Sequence, residues 1–265
     1  MGTNVSFGWR PDLLELEGTS SSDDAAIEVA DSWLVDDGRT RALDLHRARF
    51  LASIPAPERA ALRVDAFWMA ALALIPRTGR FFPRVELTAP GDSRRLLFRL
   101  RSAPPVSTSV TAITHLGADP RSRPAVKGPD LAALAAVRGW ARRSGAEEAV
   151  ITTADGYVVE GATTGLLWWR GATLCSPLPE FERVDSVTAR STLTLATALG
   201  TPIRYEAVRP PDLEGLEVWA VNALHGIRAI TAWIDGPRPR PQPHRLATWN
   251  SRLDALTQPL VSSSP

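Results

Sequence analysis

Lysine is almost absent from this chain. Of its 30 Lys and Arg residues only Lys127 is a lysine, so guanidinium fills every other cationic position. Arginine serves as well as lysine for a solvated charge, but it stays protonated at physiological pH and cannot form an imine. A buried lysine can lose its proton. The chemistry that best fits one retained amine is a covalent Schiff base; a surface lysine left over by composition is the plain alternative. Cysteine is equally scarce. Cys175 alone excludes an internal disulfide framework and suits a reducing compartment, and its strand-like setting Thr173-Leu174-Cys175-Ser176 points to packing rather than reactivity. No run approaches the roughly 18 apolar residues of a membrane span. Met1-Gly2-Thr3-Asn4 lacks a basic region followed by an apolar one, so a cytoplasmic protein without a secretory signal is expected. The net charge of +1 supplies no broad field for nucleic acid or an anionic membrane, and Arg94-Arg95 and Arg142-Arg143 read as solvated faces. There is no internal repeat, no glycine-rich phosphate loop and no metal-ligand pattern.

What is present is enough for a sizeable core. A chain of 265 residues with 44% hydrophobic residues and nine tryptophans holds one large domain or two modest ones. Residues 26–34 and 39–43, around the turn Asp36-Asp37-Gly38, read as a hairpin. Asp44 reads as the cap of a helix over 45–51, and a second helix fits 58–75. Strand-like runs follow at 81–89, 95–101 and 107–116, an order that points to an α+β layer. Both ends read as tails: Gly18-Thr19-Ser20-Ser21-Ser22-Asp23-Asp24 is a polar break, and Ser262-Ser263-Ser264-Pro265 frays.

Pro120 and Pro124 amid charge give residues 119–126 the composition of an interdomain linker. The expected organisation is a smaller N-terminal α/β domain over 1–118 and a larger β-rich C-terminal domain over 127–265. The second half offers a helix over 129–144 and strands at 149–153, 157–160, 165–170 and 173–176. A helix over 188–199 and strands at 203–208, 218–222 and 228–234 follow.

Several residues sit where an imine-forming cofactor would need partners. Glu160, at the end of an apolar strand, is a carboxylate that could pair with a protonated pyridine nitrogen, or a strand-end glutamate facing water. Ser186-Val187-Thr188-Ala189-Arg190 starts a helix, and the N–H groups of Val187 and Thr188 could hold a phosphate; ordinary capping by Ser186 or Thr188 is the commoner use. Asn222-Ala223-Leu224-His225-Gly226 is a polar interruption between strands of the kind that carries sites. On the first helix His46 and Arg49 share a face, and arginine is the natural bidentate partner of phosphate.

In this order and spacing these residues resemble the class IV (fold type IV) pyridoxal-phosphate enzymes, the group of branched-chain and D-amino acid aminotransferases and 4-amino-4-deoxychorismate lyases. The run Asp155-Gly156-Tyr157-Val158-Val159-Glu160-Gly161-Ala162-Thr163-Thr164 looks like the family's segment ending in Glu-Gly-Thr/Ala. Val187-Thr188 with Arg190 is similar to its phosphate turn, and His46 with Arg49 to its His-x-x-Arg helix. The resemblance implies a two-domain α+β fold with pyridoxal 5'-phosphate in the interdomain cleft. Lys127 would form the internal aldimine and Glu160 hold the ring nitrogen, while Arg49, Val187, Thr188 and Ala223 bind the cofactor. Thr164 and His225 would lie near the substrate.

It further implies a homodimer acting on a small amino acid or an aminodeoxychorismate-like molecule. Aminotransferase is the leading activity, with aminodeoxychorismate lyase and a catalytically silent relative as alternatives. The chain departs from the family where Ala25-Ala26-Ile27-Glu28-Val29-Ala30-Asp31 replaces Gly-x-Phe-Glu-Thr-x-Arg, so that Asp31 stands for a basic residue. Ser186 replaces glycine, Asn222-Ala223-Leu224 replaces Gly-Thr-Ala, and Leu131 and Ala132 stand where a tyrosine is usual.

Overall fold

The computed structural model describes residues 4–19, 26–89 and 93–260, and these divide into two compact units. The first takes the chain up to Pro105, the short segment Val126–Pro129 and the chain from Leu256 on; the second takes Val106–Ala125 and Asp130–Ala255.

The first unit contains β1 (Asn4–Arg10), β2 (Glu15–Thr19), β3 (Ala26–Ser32), β4 (Val35–Asp36) and β5 (Arg39–Arg41). Helices α1 (Leu43–Ala52), α2 (Ala56–Ala61) and α3 (Val64–Ala73) precede β6 (Arg80–Phe81), β7 (Arg84–Ala89) and β8 (Arg95–Arg101). Among the described residues, an antiparallel sheet runs in the order β2-β1-β8-β7-β3. Strand alternation decides its faces. Leu96, Phe98 and Leu100 of β8 with Val85 and Leu87 of β7 join Phe50, Phe67 and Trp68 of the helices in one core. The intervening residues bring Arg84 and Arg99, cross-strand neighbours of each other, into ion pairs with the buried Glu86, whose charge would otherwise be untenable there.

The second unit contains β9 (Ser109–Thr114), α4 (Leu131–Arg143), β10 (Glu148–Thr152), β11 (Val158–Gly161), β12 (Gly165–Arg170) and β13 (Thr173–Pro177). It continues with α5 (Val187–Ala198), β14 (Ile203–Glu206), β15 (Glu217–Asn222), β16 (Gly226–Ile234) and α6 (Pro243–Asp254). Its mixed sheet runs β11-β10-β9-β16-β15-β12-β13-β14. The run Leu166-Leu167-Trp168-Trp169 shows why β12 is central: a strand apolar at consecutive positions must be covered on both faces. Leu166 and Trp168 pack with Val150, Val158 and Val218, and Leu167 and Trp169 with Trp219 and Trp249 under α5 and α6. The three indoles of that second core lie 5.4–5.9 Å apart, edge-on or tilted contacts worth about 0.5–1.5 kcal/mol each beyond their buried area.

Several sequence expectations change. The hairpin is only β4 with β5, because β3 leaves it to pair with β7. The expected helix over 58–75 is two helices, broken where Arg63 takes a left-handed φ of 51° as it enters α3. Asp44 is not the cap of α1: Ala42, also left-handed, holds that position without a side-chain hydrogen bond, and Asp44 lies in the first turn. The ends are more than tails, since β1 and β2 form a hairpin and the last strand, β17 (Thr257–Pro259), pairs with β5. The expected features at 20–25 and 262–265, including Ala25, lie outside the described residues. The units also divide elsewhere than at 118/119. β9 pairs with β10 and β16 and so belongs to the second unit, whereas residues 126–129, tied to β3 through the Lys127 carbonyl, belong to the first.

Candidate functional site

In the first unit, Lys127 is placed by backbone. Its carbonyl accepts from the Ala30 N–H of the edge strand β3 at 2.7 Å. The next residue, Gly128, has φ +143°, and a Cβ there would fall 2.7 Å from Val29 Cα and 2.8 Å from Ala30 N. Only glycine permits that approach. The strand that receives Lys127 also carries Asp31, to which α1 supplies an imidazole and a guanidinium. Asp31 Oδ1 accepts from His46 Nδ1 at 2.7 Å and Arg49 Nη2 at 2.8 Å, and Oδ2 from Arg49 Nε at 2.8 Å. The Ser32 N–H donates to the same Oδ1. Burial alone would raise the Asp31 carboxyl, but the charges and hydrogen bonds of Arg49 and His46 bring it down to about 2. His46 is lowered, chiefly because burial disfavours the imidazolium; the charge of Lys127 acts in the same direction against the pull of Asp31. Lys127, Arg49 and His46 therefore lie in one electrostatic neighbourhood, with Arg49 oriented through two of its nitrogens.

The second unit brings the remaining sequence candidates into one region. The residues after Glu160 form a tight turn in which Gly161 and Thr164 exchange backbone hydrogen bonds. Buried Glu148 of β10 pins that turn, accepting from Thr163 Oγ1 at 2.6 Å and from the Thr163 N–H. Burial raises the Glu148 carboxyl, while Thr163, Arg138 and Arg228 oppose the rise. Immediately after the turn, a Cβ at Gly165 would sit 3.2 Å from Ser186 Cβ, so the turn lies against the start of α5. Ser186 caps that helix by accepting from the Ala189 N–H. Helix geometry leaves the N–H groups of Val187 and Thr188 without acceptors inside the helix. Asn222 joins the assembly, donating from Nδ2 to the Thr163 carbonyl and accepting from the His225 N–H. Ala223 lies half-buried in the same loop.

The donor set suits a phosphorylated ring. Amides of a helix N-terminus form an anion site, and Thr164 Oγ1 is buried with no hydrogen-bond partner among the described residues. Glu160 is 7% exposed and accepts from Arg121 Nη1 at 2.5 Å. His225 is oriented differently from a free acid–base group. Its Nδ1 accepts from the Ser107 N–H, and burial, with Arg228 and Arg138, pushes the imidazole down to about 4. Arg121 and Glu148 were missed from sequence, and Asp31 was noted only as a departure from the family pattern, not as the partner of His46 and Arg49. An acid inside an apolar run, as in Val29-Ala30-Asp31, is the one local signal that a buried cationic partner exists.

A family model described as amino-transferase class IV matches residues 28–233. This chain belongs to that family. Its fold is the fold type IV arrangement. The fold IV-transaminase CpuTA1 from Curtobacterium pusillum matches at a TM-score of 0.75 and 19% identity, over 95% of this chain and 97% of that one. A hypothetical aminotransferase from Mycobacterium tuberculosis in its PLP-bound form gives 0.71 and 21% over 98% and 100%. The branched-chain amino acid aminotransferase from Escherichia coli gives 0.74 and 16% over 95% and 94%. At such identities the likeness establishes the fold and not the substrate. No curated protein matches the sequence. Among the described residues no helix is long and apolar enough to cross a membrane.

Proposed function

We propose that this class IV family member is a pyridoxal-phosphate-dependent aminotransferase that moves an amino group between a small amino acid and a 2-oxo acid. The observation that carries the reading is the packing of the Glu160–Gly165 turn against the N-terminus of α5, which gathers a carboxylate and free amides in one region. When bound, the cofactor supplies an aldehyde for the amine and a ring that takes up the electron pair released at the substrate α-carbon. The chain's residues do the rest. Lys127 provides the amine that anchors the cofactor and, once released, moves a proton from the substrate α-carbon. Glu160 holds a proton at the ring nitrogen. Arg49 and the N–H groups of Val187 and Thr188 bind the phosphate, with Ala223 offering backbone beside them. Thr164 and His225 serve substrate contacts, His225 as a neutral ring.

A cytoplasmic homodimer is part of the proposal. The decisive experiment supplies the purified protein with pyridoxal phosphate and a panel of amino acids and 2-oxo acids, beside aminodeoxychorismate. Amino transfer by the wild type, abolished in Lys127→Ala with the circular dichroism spectrum intact, is the expected result. Full activity in that variant refutes the role of Lys127. Release of 4-aminobenzoate and pyruvate without transfer makes the protein a lyase, and a colourless protein that retains no cofactor makes it a silent relative.

A further inference from the structure

Arg121 is as enclosed as the carboxylate it meets, with side-chain exposures of 4% for Arg121 and 9% for Glu160. Its fork closes on Asp119, Nε reaching Oδ1 at 2.9 Å and Nη2 reaching Oδ2 at 2.7 Å. Nη1 donates to Glu160 Oε1 at 2.5 Å and to the Glu182 carbonyl at 3.3 Å. The Arg121 N–H returns to Asp119 Oδ1, so the guanidinium plane is set by its own neighbours before anything binds. The next two residues are held as well: Ser122, through N–H and Oγ, and the Arg123 N–H all donate to Asp130. Burial works against the charge on Arg121, yet Asp119 and Glu160 raise it above its ordinary value, and the residue is a permanent cation. Arg183 is the second cation whose charge bears on Glu160; its guanidinium is spent on the carbonyls of Pro177, Leu178 and Phe181.

A carboxylate placed between two cations divides its attraction between them. We propose that Arg121 is a positioning residue for the cofactor ring: it fixes Glu160 through Oε1 and reduces the negative charge that this carboxylate presents to the ring nitrogen. The proposal rests on the reading of the chain as a pyridoxal-phosphate enzyme. A simpler role is a staple between the 119–123 loop and β11, which would affect stability and nothing else.

The test compares wild type, Arg121→Gln and Arg121→Lys, each loaded with pyridoxal phosphate. The visible band of the bound cofactor is titrated over the alkaline range, and the cofactor dissociation constant is measured by equilibrium dialysis. Arg121→Gln removes a positive charge from the site, so the protonated form should persist to higher pH, with a midpoint raised by about one pH unit. Its cofactor should be held about tenfold more weakly, because Glu160 loses its fixed orientation. Arg121→Lys keeps the charge but cannot form the fork; its midpoint should stay at the wild-type value while its cofactor is still held more weakly. If Arg121→Gln fails to fold, the lysine variant decides. Wild-type affinity in Arg121→Lys, or wild-type midpoint and affinity in Arg121→Gln with only a lower melting temperature, overturns the positioning role alone. A wild-type protein that takes up no cofactor overturns this inference together with the proposed function.

Discussion

Replacing Asp31 with asparagine removes one charge and almost no volume from a side chain with no exposed surface. Lowering this carboxyl from 3.8 to about 2 corresponds to roughly 2.5 kcal/mol at about 1.36 kcal/mol per pH unit. The mutational cost is somewhat larger, because the Arg49 guanidinium, 13% exposed, is left beside a neutral amide, and losing one partner of a buried pair costs about 3–5 kcal/mol. Asp31→Asn should therefore lose about 3 kcal/mol in urea denaturation at pH 7. The pH dependence carries its own sign. A carboxyl depressed in the folded state stabilises above its unfolded value near 3.8 and loses that contribution as pH falls towards 2. The wild type should thus give up this stabilisation between about pH 5 and 2, the variant should not, and the two should converge in acid. A variant within 1 kcal/mol of wild type at pH 7, or one with an unchanged acid limb, would show that the charge on Asp31 does not hold Arg49 in place.

Two further substitutions probe the backbone around the site. Gly128→Ala puts a Cβ into the β3 backbone at a φ of +143° and should cost on the order of 2–3 kcal/mol, with faster hydrogen exchange at the Ala30 N–H as the Lys127 carbonyl is displaced. Ser186→Ala removes the acceptor for the Ala189 N–H and should cost about 1 kcal/mol, against only a few tenths for Ser186→Gly; equal losses in chemical denaturation would mean the cap contributes nothing.

Periodicity and turn chemistry located the regular elements well where both were strong. The strands at 95–101 and 165–170 have the bounds expected of them, because Arg/Leu alternation marks one and the glycines at 165 and 171 close the other. The break at Arg63 was hidden, since the left-handed residue is not glycine and the apolar spacing runs on through it. Helix α6 was missed behind Pro237-Arg238-Pro239-Arg240-Pro241-Gln242-Pro243, a stretch that reads as loop although Pro243 is well suited to a helix's first turn. Two strands at the start were passed over for the same reason: Glu15-Leu16-Glu17-Gly18-Thr19 gains its order from pairing with β1 and has little strand propensity of its own. The candidate residues for chemistry were legible as types, while their partners were not. Arg121 meets Glu160 across 39 positions, and no spacing rule reaches that far.

The position of Lys127 shows where sequence and structure meet. Composition singles out the amine, but composition cannot say how its backbone is held. The lysine precedes a glycine bounded by Pro124 and Pro129, and the glycine's lack of a side chain lets the segment lie against Val29 and Ala30. The Lys127 carbonyl then satisfies an edge-strand donor that would otherwise need water or another chain. The side chain can move without disturbing that anchor, since the bond to β3 is made by the main chain. Such an arrangement suits the role proposed for Lys127, in which the side chain would give up a covalent bond and move a proton while the main chain stays fixed.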